Sequence, residues 1–343
     1  MSFLHAARLS RRGILAAGAA TLGAALLPRH ASAQAHTPIT TAFGWISNVE
    51  YAGFWTALER GYFAEEGIEA DYLPGGPNAP DTLVSLSADR SQISGANWLP
   101  ILDAIAQGND FVILGAQWQR SPAALMSLAE SPVRKPEDLV GKRILAQNPS
   151  DKVIIDSILG NAGLPLEYQL IPTGFSPEPL IAGDGDVYFC FATNQPITME
   201  QLGYERDKDF FVTLMDELGY VVKQGLIVAK KSLFQQNRPA LVGYLKGLIR
   251  GWQYAIDNPG YAPQIVIDKY GADLGLDLDQ QKRQMELQIP LIKPKEGGQL
   301  LAFDPEIIDG AMTAAATAAG RKVPPLDELV DLQPLGEAHA ALS

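Results

Sequence analysis

The chain has 343 residues, with 27 Lys+Arg against 39 Asp+Glu for a net charge of −12, and 47% of it is hydrophobic. That acidity argues against nucleic acid as a partner, whose phosphates need a basic face, and against binding to anionic membrane surfaces. Cys190 is the sole cysteine, so no internal disulfide and no thiolate metal cluster is available.

Residues 1–33 read as an export leader to be removed. Arg8, Arg11 and Arg12 precede an apolar run from Gly13 to Leu27, and Ala31-Ser32-Ala33 supplies an A-x-A cleavage site. The run is too short and small-sided to span a membrane stably. Arg11-Arg12 after Ser10, followed by Ile14-Leu15, resembles a twin-arginine export signal. No cysteine follows the site, so no lipid anchor is expected there. The leader takes four basic residues and no acidic ones, leaving 23 against 39 and a net charge of about −16. The expected product is a soluble periplasmic protein of about 310 residues, a length that favours two domains.

Along the rest of the chain, apolar β-rich runs alternate with amphipathic segments. "ITTAFG" reads as a strand; "EYAGFWTALERG" reads as a helix, with Tyr51, Phe54, Trp55 and Leu58 on one face and Gly61 as its stop. A strand "IEADYL", a glycine-proline loop Pro74–Pro80, a helix "DTLVSLSADR", a short strand "QISGAN" and a helix "WLPILDAIAQG" follow. "FVILGAQW" is continuously apolar, as a buried parallel strand is. Repeated β-α-β units predict a parallel, doubly wound sheet with helices on both faces. "RILAQ", "YQLIP" and "DVYFCFAT" are further strands, with "NPSDKVIIDSILGNAGL" a helix between the first two and "NQPITMEQLG" closing the last unit. The sequence predicts a second α/β unit over 125–223, inserted between 37–124 and 224–343. A long amphipathic helix over "RPALVGYLKGLIRGWQYAIDNP" ends at Asn258-Pro259, and three or four more helices finish the chain.

The four histidines are His5, His30, His36 and His339, so none lies between Thr37 and Ala338. Ser-His-Asp and Cys-His catalysis, a histidine zinc site and a histidine general base are therefore unavailable to the folded core. Carboxylate or lysine chemistry remains open.

"W-x-x-N-x-x-x-A-G-F" from Trp45, then "ALERGYFAEEGI", "VRKPEDLVGKRI", "GDGDVYFCFATNQP" and the segment from Gly225 to Pro259 stand in the order of a known family. Over essentially the whole mature chain the sequence resembles the solute-binding proteins of ABC importers, in the group handling thiamine pyrimidine precursors, aliphatic sulfonates, taurine and nitrate. The resemblance implies a two-lobe α/β periplasmic-binding fold of the second type. It further implies a small-molecule ligand between lobes that close on it, ABC permease subunits as partners, a monomer, no cofactor and no catalysis. The group's D-W-x-P-N-x-x-H-x-G pattern is matched at Trp45, Asn48 and Gly53, but Gly44, Ser47 and Tyr51 stand where it has Asp, Pro and His. Enzymatic relatives that make the thiamine pyrimidine use an iron-binding cysteine-rich motif and an active-site histidine, which this core lacks.

Given a crevice beyond strand ends, the expected ligand contacts are Trp45, Asn48 and Tyr51 after the first strand, Asn78 in the glycine-proline loop, and Asn97 and Trp98 after the third. Gln117 and Trp118 end the apolar strand; Ser150, Asp151, Tyr188, Asn194 and Gln195 come from the second lobe. Several have structural alternatives: Asn48, Ser150 and Asp151 as helix caps, Asn78 as a turn residue, Trp45 as packing beneath the first helix. Aromatic faces with neutral amides and hydroxyls favour a neutral or weakly cationic heterocycle of pyrimidine, vitamin-precursor or flavin type. The alternatives are a sulfonate- or taurine-type binder, an exported enzyme on the same fold, and a sensory binding protein.

Overall fold

The computed structural model describes residues 36–148 and 151–343; the expected leader over 1–33 and the candidate Ser150 lie outside the described residues. Among these residues ten strands form two five-stranded sheets. The first has the order β2-β1-β3-β10-β4, from β1 (Thr37–Ala42), β2 (Ile68–Leu73), β3 (Ile93–Ala96), β4 (Phe111–Ala116) and β10 (Leu226–Lys230). The second has the order β7-β6-β8-β5-β9, from β5 (Ala123–Leu128), β6 (Arg143–Ala146), β7 (Gln169–Pro172), β8 (Val187–Phe191) and β9 (Phe210–Leu214).

Purely parallel pairing is corrected at one strand in each sheet. β1 pairs in parallel with β2 and β3, and β6 with β7 and β8. β10 lies antiparallel between β3 and β4, and β5 antiparallel between β8 and β9. The chain crosses between sheets immediately before β5 and before β10. A strand arriving from the cleft starts where its neighbours end, so it must run against them. The unbroken apolarity of β4, all six residues of which are buried, therefore reflects cover on both faces and not parallel pairing. At its outer edge, Ile113 bridges to Val330 near the C-terminus.

The long helix α8 (Lys231–Asp257) breaks at Asn237, where φ is −154° and ψ 63°. The Asn237 side-chain carbonyl accepts from the Ala240 N–H at 3.3 Å, and Pro239 occupies the first turn of the longer segment, a normal helix start. The sequence-predicted helix thus begins in the right place, with a shorter segment ahead of it. Beyond it stand α9 (Tyr261–Ile265), α10 (Leu278–Ile292), α11 (Thr313–Ala318), α12 (Leu326–Leu329) and α13 (Gln333–Ala340), with π-helical turns at Val266–Tyr270 and Ile308–Met312. That is more and shorter helices than the sequence predicts, because Gly and Pro recur every few residues there.

α8 packs on α1 (Ala52–Glu59) almost backbone to backbone. A Cβ at Gly251 would lie 2.0 Å from the Gly53 carbonyl oxygen and 2.8 Å from the Ala57 Cβ. Neither obstacle is a flexible side-chain end, so Gly251→Ala is expected to cost about 3 kcal/mol through overpacking, read as a lowered Tm. An unchanged Tm would disprove so close an approach. Around this contact Phe54, Trp55, Phe63, Tyr244 and Trp252 fill the first lobe's core.

A second core is continuous across both sheets, taking Ile113 and Val228 from the first, Leu125, Ile144 and Val187 from the second, and Phe303, Ile308 and Met312 from the C-terminal segment. The two crossing segments are stapled side by side. Arg120 donates to Asp216 at 2.6 and 2.8 Å and to Glu217 at 2.8 Å, the Ser121 hydroxyl donates to the Gln224 side chain at 2.9 Å, and the Gln117 N–H donates to the Gly225 carbonyl at 2.8 Å. Gly225 has φ +60°, and a Cβ there would lie 2.9 Å from the Trp118 ring. Gly225→Ala is expected to destabilise by about 2 kcal/mol from the left-handed backbone and the ring contact. Urea unfolding checks this, and a change below a few tenths of a kcal/mol would contradict it.

Candidate functional site: a cavity between the lobes

The carboxyl ends of the parallel strands of both sheets and the two crossing segments surround a cavity of about 780 Å³. That volume lies in the range of small-molecule sites. Its mouth is bridged: Trp45, after β1, meets Phe175, after β7, with ring centroids 4.8 Å apart and planes at 60°. Phe175 is 41% exposed, so a large apolar ring stands at the rim. The Trp45 indole N–H is buried without a partner, an unsatisfied donor on a cavity-lining residue.

The floor of the first lobe is the 3₁₀ turn Val49–Tyr51 that leads into α1, and nearly every backbone group of it is held from outside. The Asn48 side chain accepts the Glu50 N–H at 2.9 Å, and the Asn48 carbonyl accepts from Trp55 Nε1 at 2.8 Å. Val49 donates to Gln281 Oε1 at 3.0 Å and accepts from Gln288 Nε2 at 2.7 Å, both on α10. Gln117 Nε2, at the end of β4, donates to the Glu50 carbonyl at 2.9 Å. The Tyr51 hydroxyl accepts the Trp45 backbone N–H at 2.9 Å, and its ring stacks on Phe43 at 4.0 Å. Donors and acceptors from two distant segments, α10 and the end of β4, join local ones in fixing this turn, as a preorganised site requires.

Glu50 is half-buried in this turn and lines the cavity. Burial pushes its carboxyl up to about 7, opposed in part by the Tyr51 hydroxyl beside it. Burial, and then the Glu50 charge, push the Tyr51 phenol well above its ordinary value. Asp151, from the first turn of α5 (Asp151–Asn161), accepts the Gln147 and Asn148 N–H groups at 3.1 and 3.0 Å. Its carboxyl is raised by burial, with those two bonds opposing. Among the described residues lining the cavity there is no Lys, Arg or His, while Glu50, Asp81 and Asp151 are acidic.

Of the sequence-predicted residues, Trp45, Tyr51, Asn97, Trp98, Gln117, Trp118, Asp151, Asn194 and Gln195 line the cavity. Their polar atoms differ in availability. Asn97 and Asn194 precede α4 (Trp98–Ala106) and α7 (Gln195–Gln201), and neither side chain is spent on a cap. The Trp98 N–H is given to the Met312 carbonyl at 2.7 Å, and the Gln195 side-chain oxygen accepts the Phe191 N–H at 2.9 Å. Three candidates are corrected. Asn48 is 2% exposed, off the cavity, and caps the turn. Asn78 is an exposed turn residue whose neighbours Pro77 and Ala79 reach the lining. Tyr188 is buried in mid-strand, off the cavity lining, and donates to the Gly174 carbonyl at 2.9 Å.

Sequence reasoning missed Glu50, Gln147, Phe175, Phe189 and Phe191, all of which line the cavity. An acidic residue in a helix's first turn ordinarily reads as a solvated partner of the helix dipole. The signal that singles out Glu50 is that its turn follows β1 directly. Cys190 also lines the cavity, 5% exposed, and burial pushes its thiol far up, so it is an unreactive thiol. His339 sits in α13, with its Nε2 against the Leu300 carbonyl at 2.9 Å. No cluster of three or more His, Cys, Asp or Glu residues is placed to hold a metal among the described residues, and none of their helices is long and apolar enough to cross a membrane.

Two α/β lobes, joined by a double crossing and enclosing one aromatic cavity, define a protein of the periplasmic binding fold. The same fold is seen in the periplasmic aliphatic sulphonate binding protein SsuA of Escherichia coli, at TM-score 0.62 and 15% identity over 87% of this chain and 92% of that one. The family profile described as "NMT1/THI5 like" matches residues 48–262, and the chain belongs to that family. It is 23% identical over 244 residues to the formylaminopyrimidine-binding protein of Halalkalibacterium halodurans, covering 68% of this chain and 71% of the relative. It is equally 23% identical over 233 residues to the 4-amino-5-hydroxymethyl-2-methylpyrimidine phosphate synthase of Legionella pneumophila, covering 66% and 72%.

Proposed function

We propose that this protein is an exported solute-binding protein that captures a small heteroaromatic metabolite between its lobes and delivers it to an ABC permease. The observation that carries this reading is the composition of the cavity wall: aromatic rings, amides and three carboxylates, with no cationic side chain among its described residues. A flat ring gains area against Trp45 and Phe175, and its polar edge meets Asn97, Asn194, Gln147 or Glu50. A sulfonate or nitrate would enter a wall of negative charge with no Arg or Lys there to neutralise it, which disfavours that alternative. The pyrimidine in one relative's name belongs to the same chemical class.

The protein acts as a monomer with no cofactor, and it holds its ligand without converting it. The twin-arginine leader takes it to the periplasm. Calorimetric titration with aminopyrimidines, riboflavin, taurine and alkanesulfonates tests the ligand class, and tight binding of only the sulfonates would overturn it. Mass spectrometry of ligand released on denaturation tests the binder against an enzyme. The binder returns the compound unchanged, and the enzyme returns a product. Fusing residues 1–33 to a reporter tests the route, because export that persists without twin-arginine translocation would refute it.

A further inference from the structure

We propose that Glu50 is the specificity-determining residue of the cleft, its carboxylate accepting the N–H edge of an amino-substituted nitrogen heterocycle. The proposal rests on the heteroaromatic reading above and names the edge that such a ligand must present.

Three observations carry it. First, the three carboxylates of the cavity are not equivalent. Asp81 spends its side chain capping α3 (Thr82–Ser87), accepting the Leu83 and Val84 N–H groups at 2.8 and 3.2 Å. Asp151 accepts the two N–H groups of Gln147 and Asn148. No backbone N–H and no cation holds the Glu50 carboxyl among the described residues, and only the Tyr51 hydroxyl stands beside it. Second, the turn that carries Glu50 is immobilised by Asn48, Gln117, Gln281 and Gln288, three of them far away in sequence. Rigid placement of a half-buried carboxylate with no partner but the Tyr51 hydroxyl is unfavourable to the empty protein, and it is compensated when a partner arrives. Third, the indole N–H of Trp45, a residue of the same lining, is buried and unpartnered. An acceptor without a backbone or cationic partner and an unsatisfied donor, on two residues of one lining, complement a ring that offers an amine beside a ring nitrogen. A ring that offers a carbonyl at that edge would instead face Glu50 with an acceptor.

The other titratable groups lining the cavity among the described residues are Tyr51, Asp81, Asp151, Cys190, Tyr220 and Tyr244, none of them cationic. The ligand itself must therefore supply the charge or the donors that Glu50 lacks.

The test uses the full mature protein, with 4-amino-2-methylpyrimidine and its 4-oxo analogue as probes in calorimetric titration. The wild type is expected to prefer the amino compound by about 30-fold, the scale of a hydrogen bond to a charged group. Glu50→Gln, which can donate as well as accept, is expected to bring the two within about three-fold of each other. Preservation of the wild-type preference in Glu50→Gln would overturn the proposal while leaving the heteroaromatic reading intact. Binding of neither pyrimidine, with taurine or an alkanesulfonate bound instead, would overturn both. If Glu50→Gln does not fold, Glu50→Asp gives the same readout. Withdrawing the carboxylate by one methylene should weaken the amino compound by about ten-fold and spare the oxo analogue. An equal effect on both probes would overturn the proposal.

Discussion

Trp45→Ala is expected to weaken binding of the best heterocycle by about 30- to 150-fold, equivalent to about 2–3 kcal/mol, while barely changing the Tm of the empty protein. Trp45 contributes twice in the closed cleft. Its face covers the cavity and its edge meets Phe175 across the mouth at 4.8 Å, so its loss removes both a ligand wall and a lobe-to-lobe contact. It is only half-buried, so little of the first lobe's core depends on it. Trp45→Phe separates its ring from its N–H, and Phe175→Ala tests the rim alone. Calorimetry reads the affinity, and small-angle scattering reads whether the bound protein still compacts. Unchanged affinity in Trp45→Ala would remove Trp45 from the ligand wall.

Glu50→Gln is expected to stabilise the empty protein at pH 8 by about 2 kcal/mol, roughly a 4 °C rise in Tm, and to leave it unchanged near pH 4. The sign comes from the raised carboxyl. Glu50 titrates at about 7 when folded, against an ordinary value of 4.5. Between those values the folded state holds a proton that the unfolded state has lost, so stability falls as pH rises through the window. Below it both states are protonated and the carboxyl has no effect. Above it the cost of the half-buried charge is present throughout, and glutamine does not incur it. Thermal unfolding from pH 4 to pH 8 checks the prediction, which fails if the two proteins run parallel across that range. A ligand that pairs with Glu50 should stabilise the wild type most at the alkaline end, where the unpaired charge costs most.

These two residues also mark how far the sequence can be read. The fold class was legible because it rests on local periodicity: apolar runs at strand positions, with amphipathic helices between them. The sheet order and the two reversed strands were not legible. They depend on where the chain crosses between lobes, which periodicity does not record. Trp45, Gln117 and Asn194 were recognisable as cavity residues because each ends a strand, and strand ends point at the crevice. Asn48 and Tyr188 misled for a related reason. Each has the right chemistry near the right place, but one is consumed by a cap and the other is buried with its hydroxyl given to the Gly174 carbonyl.

Glu50 stayed hidden because a carboxylate in a first helical turn has an ordinary surface explanation. The sequence alone determined that no histidine lies between Thr37 and Ala338, that Cys190 is the single cysteine, that acidic residues are in strong excess, and that apolar strand runs alternate with amphipathic segments. Only the tertiary structure decided which carboxylate is left unpaired. That depends on Gln117, Gln281 and Gln288 converging on one turn from 67, 232 and 239 residues away. Composition limits which chemistry is available, but burial and partner choice are non-local, and they set which of the available groups remains free to meet a ligand.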